Sequence, residues 1–118
     1  MSTTIASEDC LFCKIVAGEI PGDVVLSNGD VVAFRDVNPV APTHVLVVPR
    51  RHAPDAAATV TDDPALAAAL VSAAAEVARG EGLTDYRLVL NTGADAGQSV
   101  FHTHLHVLGG RTMAWPPG

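Results

Sequence analysis

Apolar residues fall into short runs along this chain, and their spacing changes from helical to strand-like and back. Leu11, Phe12, Ile15 and Val16 recur at the spacing of one broad helical face. A short helix over Cys10–Ala17 is expected, with Asp9 as its cap and Gly18 as its stop. Ile20-Pro21-Gly22-Asp23 reads as a turn. Val24–Ser27 and Val31–Asp36 read as strands joined through Asn28-Gly29, a strong hairpin signal between β-branched residues. Val37–Thr43 carries two prolines and reads as a loop. His44–Pro49 is a buried strand, closed by its proline.

A long helix is expected over Thr61–Gly80, with Asp62 or Asp63 as cap, Pro64 in the first turn and Gly80 at the stop. Leu66, Leu70, Val77 and the intervening alanines form its apolar face. Tyr86–Asn91 is a fourth strand, Asn91–Ser99 a polar glycine-containing loop, and Val100–Gly109 a fifth strand. The prolines of Gly110–Gly118 exclude a helix there. Residues 1–8 read as a disordered lead-in, and 9–118 as a single domain that includes a C-terminal tail. A hairpin, a helix and further strands give an α+β meander.

Composition narrows the function. The chain has 118 residues, 48% of them hydrophobic, and a formal net charge of −6. With only seven lysines and arginines, no basic patch is expected for nucleic acid or an anionic membrane. An anionic ligand would have to be held by local donors against the overall charge. No apolar run approaches the ~20 residues needed to span a bilayer. The first ten residues lack the pattern of a signal peptide, so a cytoplasmic protein is expected. Cys10 and Cys13, two residues apart, read as a metal half-site, a redox pair or two ordinary small residues.

Histidine is the chemistry-bearing residue. Three of the five lie in His102-Thr103-His104-Leu105-His106. On a strand all three imidazoles would share one face. They could be polar residues of an amphipathic strand, ligands of a metal, or a nucleophile with two helpers. The metal reading is strained for a single ion, because the outer Cα atoms of a strand segment this long are ~13–14 Å apart. A histidine nucleophile flanked by imidazoles suits attack at phosphorus. The preceding loop supports this last reading. Gly93 and Gly97 free its backbone to turn N–H groups toward an anion, and Asn91, Gln98 and Ser99 add side-chain donors.

The run HTHLHVLGG, with AGQSVF before it, resembles the signature of the histidine triad (HIT) superfamily. CLFCKIVAGEIP, VVAFRDVNPVAPTHVLVVPRRH, the NTGADAGQS loop and the terminal WPPG resemble the histidine triad nucleotide-binding (HINT) branch. The resemblance implies a five-stranded antiparallel sheet with one long and one short helix, joined across a homodimer. It implies hydrolysis of the P–N bond of adenosine or guanosine 5′-monophosphoramidates, with AMP or GMP as the nucleotide. His104 would be the nucleophile and form a nucleotidyl-histidine. His106 would contact the phosphate or the leaving group, and His102 and His44 would complete the cluster. Asn91, Gly97, Gln98 and Ser99 would hold the α-phosphate, and Ser99 could also protonate the leaving amine. Asp36 would hold the ribose. Phe12, Ile15, Ile20, Phe34, Val37 and Leu46 would wall the base pocket. No metal is needed for the chemistry itself.

Three positions depart from the pattern. Thr103 stands where an aliphatic residue is usual, although its β-branch keeps strand geometry. Ala96 replaces a common glycine, and Ala114 a polar tail residue. Trp115, in the proline-rich tail, could anchor on a partner subunit. A structural zinc site would need two ligands besides Cys10 and Cys13. CxxC-bearing relatives suggest His52 and His102, with His44 as substitute for His52. Two other functions compete: a dinucleoside polyphosphate hydrolase, and a nucleotide-binding interaction protein with incidental turnover.

Overall fold

A computed structural model of the protein describes residues 9–118; the lead-in expected over 1–8 lies outside the described residues. The elements run α1 (Leu11–Val16), β1 (Val24–Ser27), β2 (Val31–Arg35), β3 (Thr43–Pro49), α2 (Ala56–Asp62), α3 (Pro64–Gly80), β4 (Tyr86–Val89) and β5 (Leu105–Gly109). The five strands form one antiparallel sheet in the order β1-β2-β3-β5-β4.

Strand alternation sorts the side chains into two layers. Val31, Ala33, Val45, Val47, Leu105 and Val107 face α3, where they meet Leu66, Leu70, Ala74 and Val77. Val32, Phe34, Leu46 and Val48 face the other way, onto Phe12 of α1. Strand β3, central between β2 and β5, is buried along its whole length. The alanines of α3 let the helix lie close to the sheet, so a slender element covers one whole face. The opposite face is covered only in part by the short α1. The uncovered remainder is where a ligand can enter.

Three expectations are corrected. The helix expected over Thr61–Gly80 is two helices broken at Asp63, whose backbone is extended (φ −156°, ψ 89°). Pro64 disfavours helical geometry at the residue before it, and Asp63 instead caps α3 by accepting from the Leu66 N–H at 3.2 Å. Helix α2 gave no sequence signal, since Thr59 is its one buried residue. In α1 the cap is Cys10 rather than Asp9, its Sγ accepting from the Cys13 N–H at 3.4 Å.

The third correction matters most for function. Strand β5 begins at Leu105, not Val100. Its ladder with β3 ends at the pair Val47 and Leu105. Continuing that register would set Thr103 opposite Pro49, which has no N–H to give. The Thr103 N–H turns instead to the Ala53 carbonyl, at 2.8 Å. His102 and His104 therefore sit on a bent segment ahead of the strand, and only His106 lies within it.

Candidate active site and candidate metal centre

The bend sends the three histidines to two places. His104 and His106 line a cavity of about 920 Å³ on the α1 side of the sheet, together with Phe12, Ile15, Ile20, Phe34, Asp36, Val37, Leu46, Gly97 and Ser99. His102 is wholly buried and points to the cysteines.

The hydrogen bonds assign the tautomers at the cavity. His104 Nδ1 lies 2.8 Å from the His102 carbonyl and must carry the proton, so its lone pair is on Nε2. His44 Nδ1 accepts from the Val40 N–H at 3.1 Å, which puts the His44 proton on Nε2. That Nε2–H lies 2.9 Å from His106 Nδ1 and 3.3 Å from an Asp36 oxygen. His106 Nδ1 is then an acceptor, and its proton is on Nε2. Among the described residues this buried Nε2 has no hydrogen-bond partner. A lone pair on His104 and an N–H on His106 are thus presented side by side, their rings 5.0 Å apart. An unpaired buried donor is costly unless a ligand supplies its acceptor.

Burial, with the neighbouring His104 and His44, pulls His106 down to about 4, although Asp36 opposes the shift. Burial pulls His102 to about 4 as well, against the opposing hydrogen bond to Pro49. Both are neutral at pH 7, which leaves His106 Nε2–H a donor into the cavity and His102 Nδ1 a lone pair toward the cysteines. In the unfolded chain each would titrate near 6.5, so the unfolded state binds more protons between these values. Stability is therefore full above that window and falls as pH drops through it. Urea midpoints measured from about pH 7.5 to pH 5 should report a loss on the order of 4 kcal/mol, about 2 kcal/mol from each group.

The loop before the bend is shaped by its glycines. Gly93 and Gly97 flank a single 3₁₀ turn, Ala94–Ala96, at φ 90° and 100°, where a side chain is disfavoured. Gln98 is buried, and its amide is committed to this loop: Oε1 accepts from the Gly93 N–H, and Nε2 donates to the Pro54 and Val100 carbonyls. It shapes the cradle from behind. Asn91 lies against Gly97, its Nδ2 3.8 Å from where a Cβ would stand. Ser99 and Gly97 reach the cavity wall, while Asn91, Gln98, His44 and His102 do not line it. Asp36 lines the cavity and also accepts from the Asn38 N–H at 2.8 Å. Sequence reasoning missed Pro21, Gly22 and Asp23 as cavity residues; they follow directly on Ile20, which was the available clue.

The second constellation is Cys10, Cys13, His52 and His102, whose ligand atoms all lie within 4.8 Å of one another. Cys10 Sγ and Cys13 Sγ are each 3.4 Å from His102 Nδ1, and Cys13 Sγ is 3.4 Å from His52 Nδ1. The two imidazole Nδ1 atoms are 3.1 Å apart. Ideal tetrahedral zinc would set sulfur and nitrogen ~3.6 Å apart and two nitrogens ~3.3 Å apart, given its usual bond lengths. The residues fit that ion. His102 Nε2 lies 2.8 Å from the Pro49 carbonyl, so it carries the proton and leaves Nδ1 as the ligand atom, the arrangement expected of a metal-bound histidine. His44 belongs to the other cluster and stands with Asp36 and His106.

Among the described residues no helix is long and apolar enough to cross a membrane. The HIT domain model matches residues 17–113. An uncharacterised HIT-like protein of Synechocystis is 49% identical over 113 residues, 95% of this chain and 99% of that one. A HIT family hydrolase from Legionella pneumophila superposes with a TM-score of 0.89 at 48% identity, over 93% of this chain and 100% of its own. A hypothetical histidine triad nucleotide-binding protein from Sulfolobus tokodaii gives a TM-score of 0.74 at 31% identity, over 84% of this chain and 67% of its own. On the extent of these matches, with His104 and His106 of the histidine run facing one cavity, the chain belongs to the HIT family.

Proposed function

We propose that this protein is a hydrolase of purine nucleoside 5′-phosphoramidates that works through a nucleotidyl-histidine. The observation that carries the reading is the paired presentation of a His104 lone pair and a His106 N–H to one cavity. His104 Nε2 attacks phosphorus, the P–N bond breaks, and the nitrogen takes up a proton and leaves as the amine. Water then attacks the same phosphorus, gives up a proton, and releases the nucleotide and His104. The proton taken up in the first step is returned in the second, and exposed Ser99 at the cavity wall can exchange it with solvent. His106 Nε2–H donates to a phosphoryl oxygen or to the leaving nitrogen. The Gly97 N–H is spent on the Ala94 carbonyl, so the loop's donor to the phosphate is the Ser99 hydroxyl at the cavity wall. Phe12, Ile15, Ile20, Phe34 and Leu46 offer an apolar slot for a purine, with Val37 at its rim, 90% exposed. Of the two aspartates lining the cavity, Asp23 pairs with Arg35 at 3.6 Å, and Asp36 is assigned the ribose hydroxyls.

Cys10, Cys13, His52 and His102 are proposed to hold a zinc ion. Four protein ligands close the shell, so the ion's contribution is structural, tying α1 to the bend before β5. A homodimer is proposed as well: β4 is an edge strand and Trp115 in the tail is 82% exposed, two surfaces a second copy could cover.

The substrate test offers adenosine 5′-phosphoramidate and a diadenosine polyphosphate to the same preparation. Release of AMP and ammonia from the first, at a clearly higher kcat/KM, is expected. Cleavage of the dinucleotide alone would overturn the reading.

A further inference from the structure

Thr103 and Thr59 are buried hydroxyls, 1% and 2% exposed, and the reaction as written uses neither. A valine at either place would fill nearly the same volume without burying an oxygen. The hydroxyls are bonded to one another, Oγ1 to Oγ1 at 2.8 Å. Thr103 Oγ1 also lies 3.2 Å from the Ala53 carbonyl, and Thr59 Oγ1 donates to the Asp55 carbonyl at 3.1 Å.

The Thr103 N–H donates to the same Ala53 carbonyl at 2.8 Å. That N–H and the His102 carbonyl belong to one peptide unit, which is planar and rigid. The His102 carbonyl is the acceptor for His104 Nδ1–H at 2.8 Å. Anchoring the N–H end of the unit therefore fixes the direction of its carbonyl end. The carbonyl in turn fixes the tautomer and the ring orientation of His104.

We propose that Thr103, braced by Thr59 from α2, is a positioning residue for the nucleophile, locking the His102–Thr103 peptide plane so that His104 Nε2 stays aimed into the cavity. The proposal rests on the reading of His104 as nucleophile. It accounts for a hydroxyl where the triad pattern carries an aliphatic side chain. It also gives α2 a task that the core does not explain, since Thr59 is the one residue this helix buries.

The test compares wild type with Thr103→Val, Thr103→Ser and Thr59→Val at matched metal content. Kinetics on adenosine 5′-phosphoramidate are read beside the NMR resonance of His104 Nδ1–H, identified by its absence in His104→Asn. For Thr103→Val, kcat should fall about tenfold with KM held within about twofold, the mark of a misaimed nucleophile rather than lost binding. The Nδ1–H resonance should move or broaden as its acceptor loosens. Thr103→Ser should restore both, and Thr59→Val should give a smaller loss of the same kind.

Wild-type kcat and resonance in Thr103→Val would overturn the proposal. So would a loss that Thr103→Ser does not restore, or one that only tracks the folded fraction in a thermal melt. If Thr103→Val does not fold, Thr59→Val decides: an unchanged resonance and kcat there removes the brace. If wild type hydrolyses no phosphoramidate, the functional reading fails, and the resonance alone still decides the positioning.

Discussion

Replacing His104 with asparagine lowers kcat on adenosine 5′-phosphoramidate by about 10⁴-fold or more, the scale seen when a nucleophile is removed. AMP affinity stays within about tenfold of wild type, because the Ser99 hydroxyl and the apolar slot remain and a single lost contact is worth ~1 kcal/mol. The large effect follows from the hydrogen bonds. The His102 carbonyl forces the His104 proton onto Nδ1, so Nε2 is a nucleophile in the resting protein without any prior proton transfer. No other histidine at the cavity can take over. His106 presents an N–H there and not a lone pair, because His44 holds its Nδ1. His106→Asn should cost less, since it removes a donor and leaves the nucleophile. Steady-state rates and AMP titrations of both variants check this order. Equal losses in the two variants would contradict the division of roles.

Loss of the proposed zinc site is expected to produce the largest fall in stability. Wild type should carry one equivalent of zinc per chain, and Cys13→Ser much less than one, read by elemental analysis. A thermal melt of Cys13→Ser, or of wild type stripped by chelator, should fall by about 10 °C or more, if the site contributes at least ~2–3 kcal/mol to a domain of this size. The physical reason is local. Helix α1 has six residues, too short to be stable alone, and its caps are weak. It is held to the sheet by Phe12, which meets Phe34, His102 and His104 at ring separations of 5.4, 6.0 and 5.0 Å, and by the two cysteines. Release of the cysteines frees one wall of the cavity, so nucleotide affinity should fall along with the melting temperature. A Cys13→Ser protein with unchanged melt and affinity would leave the cluster as ordinary packing.

The sheet was legible in the sequence because strand signals are local. Asn28-Gly29 marks the first hairpin, and alternation along Val31–Arg35 sorts the two faces. The cavity residues on β2, β3 and β5 follow from the same parity: Phe34, Leu46 and His106 stand in one row across three strands. What was not legible depends on contacts distant in sequence. Strand β5 stops short because Pro49, more than fifty residues earlier, offers no N–H and Ala53 does. Nothing in HTHLH itself says that one imidazole leaves the row for the cysteines. Gln98 reads as a donor facing a ligand, yet its amide is spent on Gly93, Pro54 and Val100. Helix α2 lies almost wholly outside the core and has no apolar stripe to betray it.

The central claim is that His104 becomes covalently attached to the nucleotide. Intact-protein mass spectrometry tests it most directly, on samples quenched in acid-free denaturant seconds after mixing with adenosine 5′-phosphoramidate. The account predicts an added AMP mass on wild type and none on His104→Asn. Product accumulating on wild type with no adduct at any quench time, or the same adduct on His104→Asn, would contradict it.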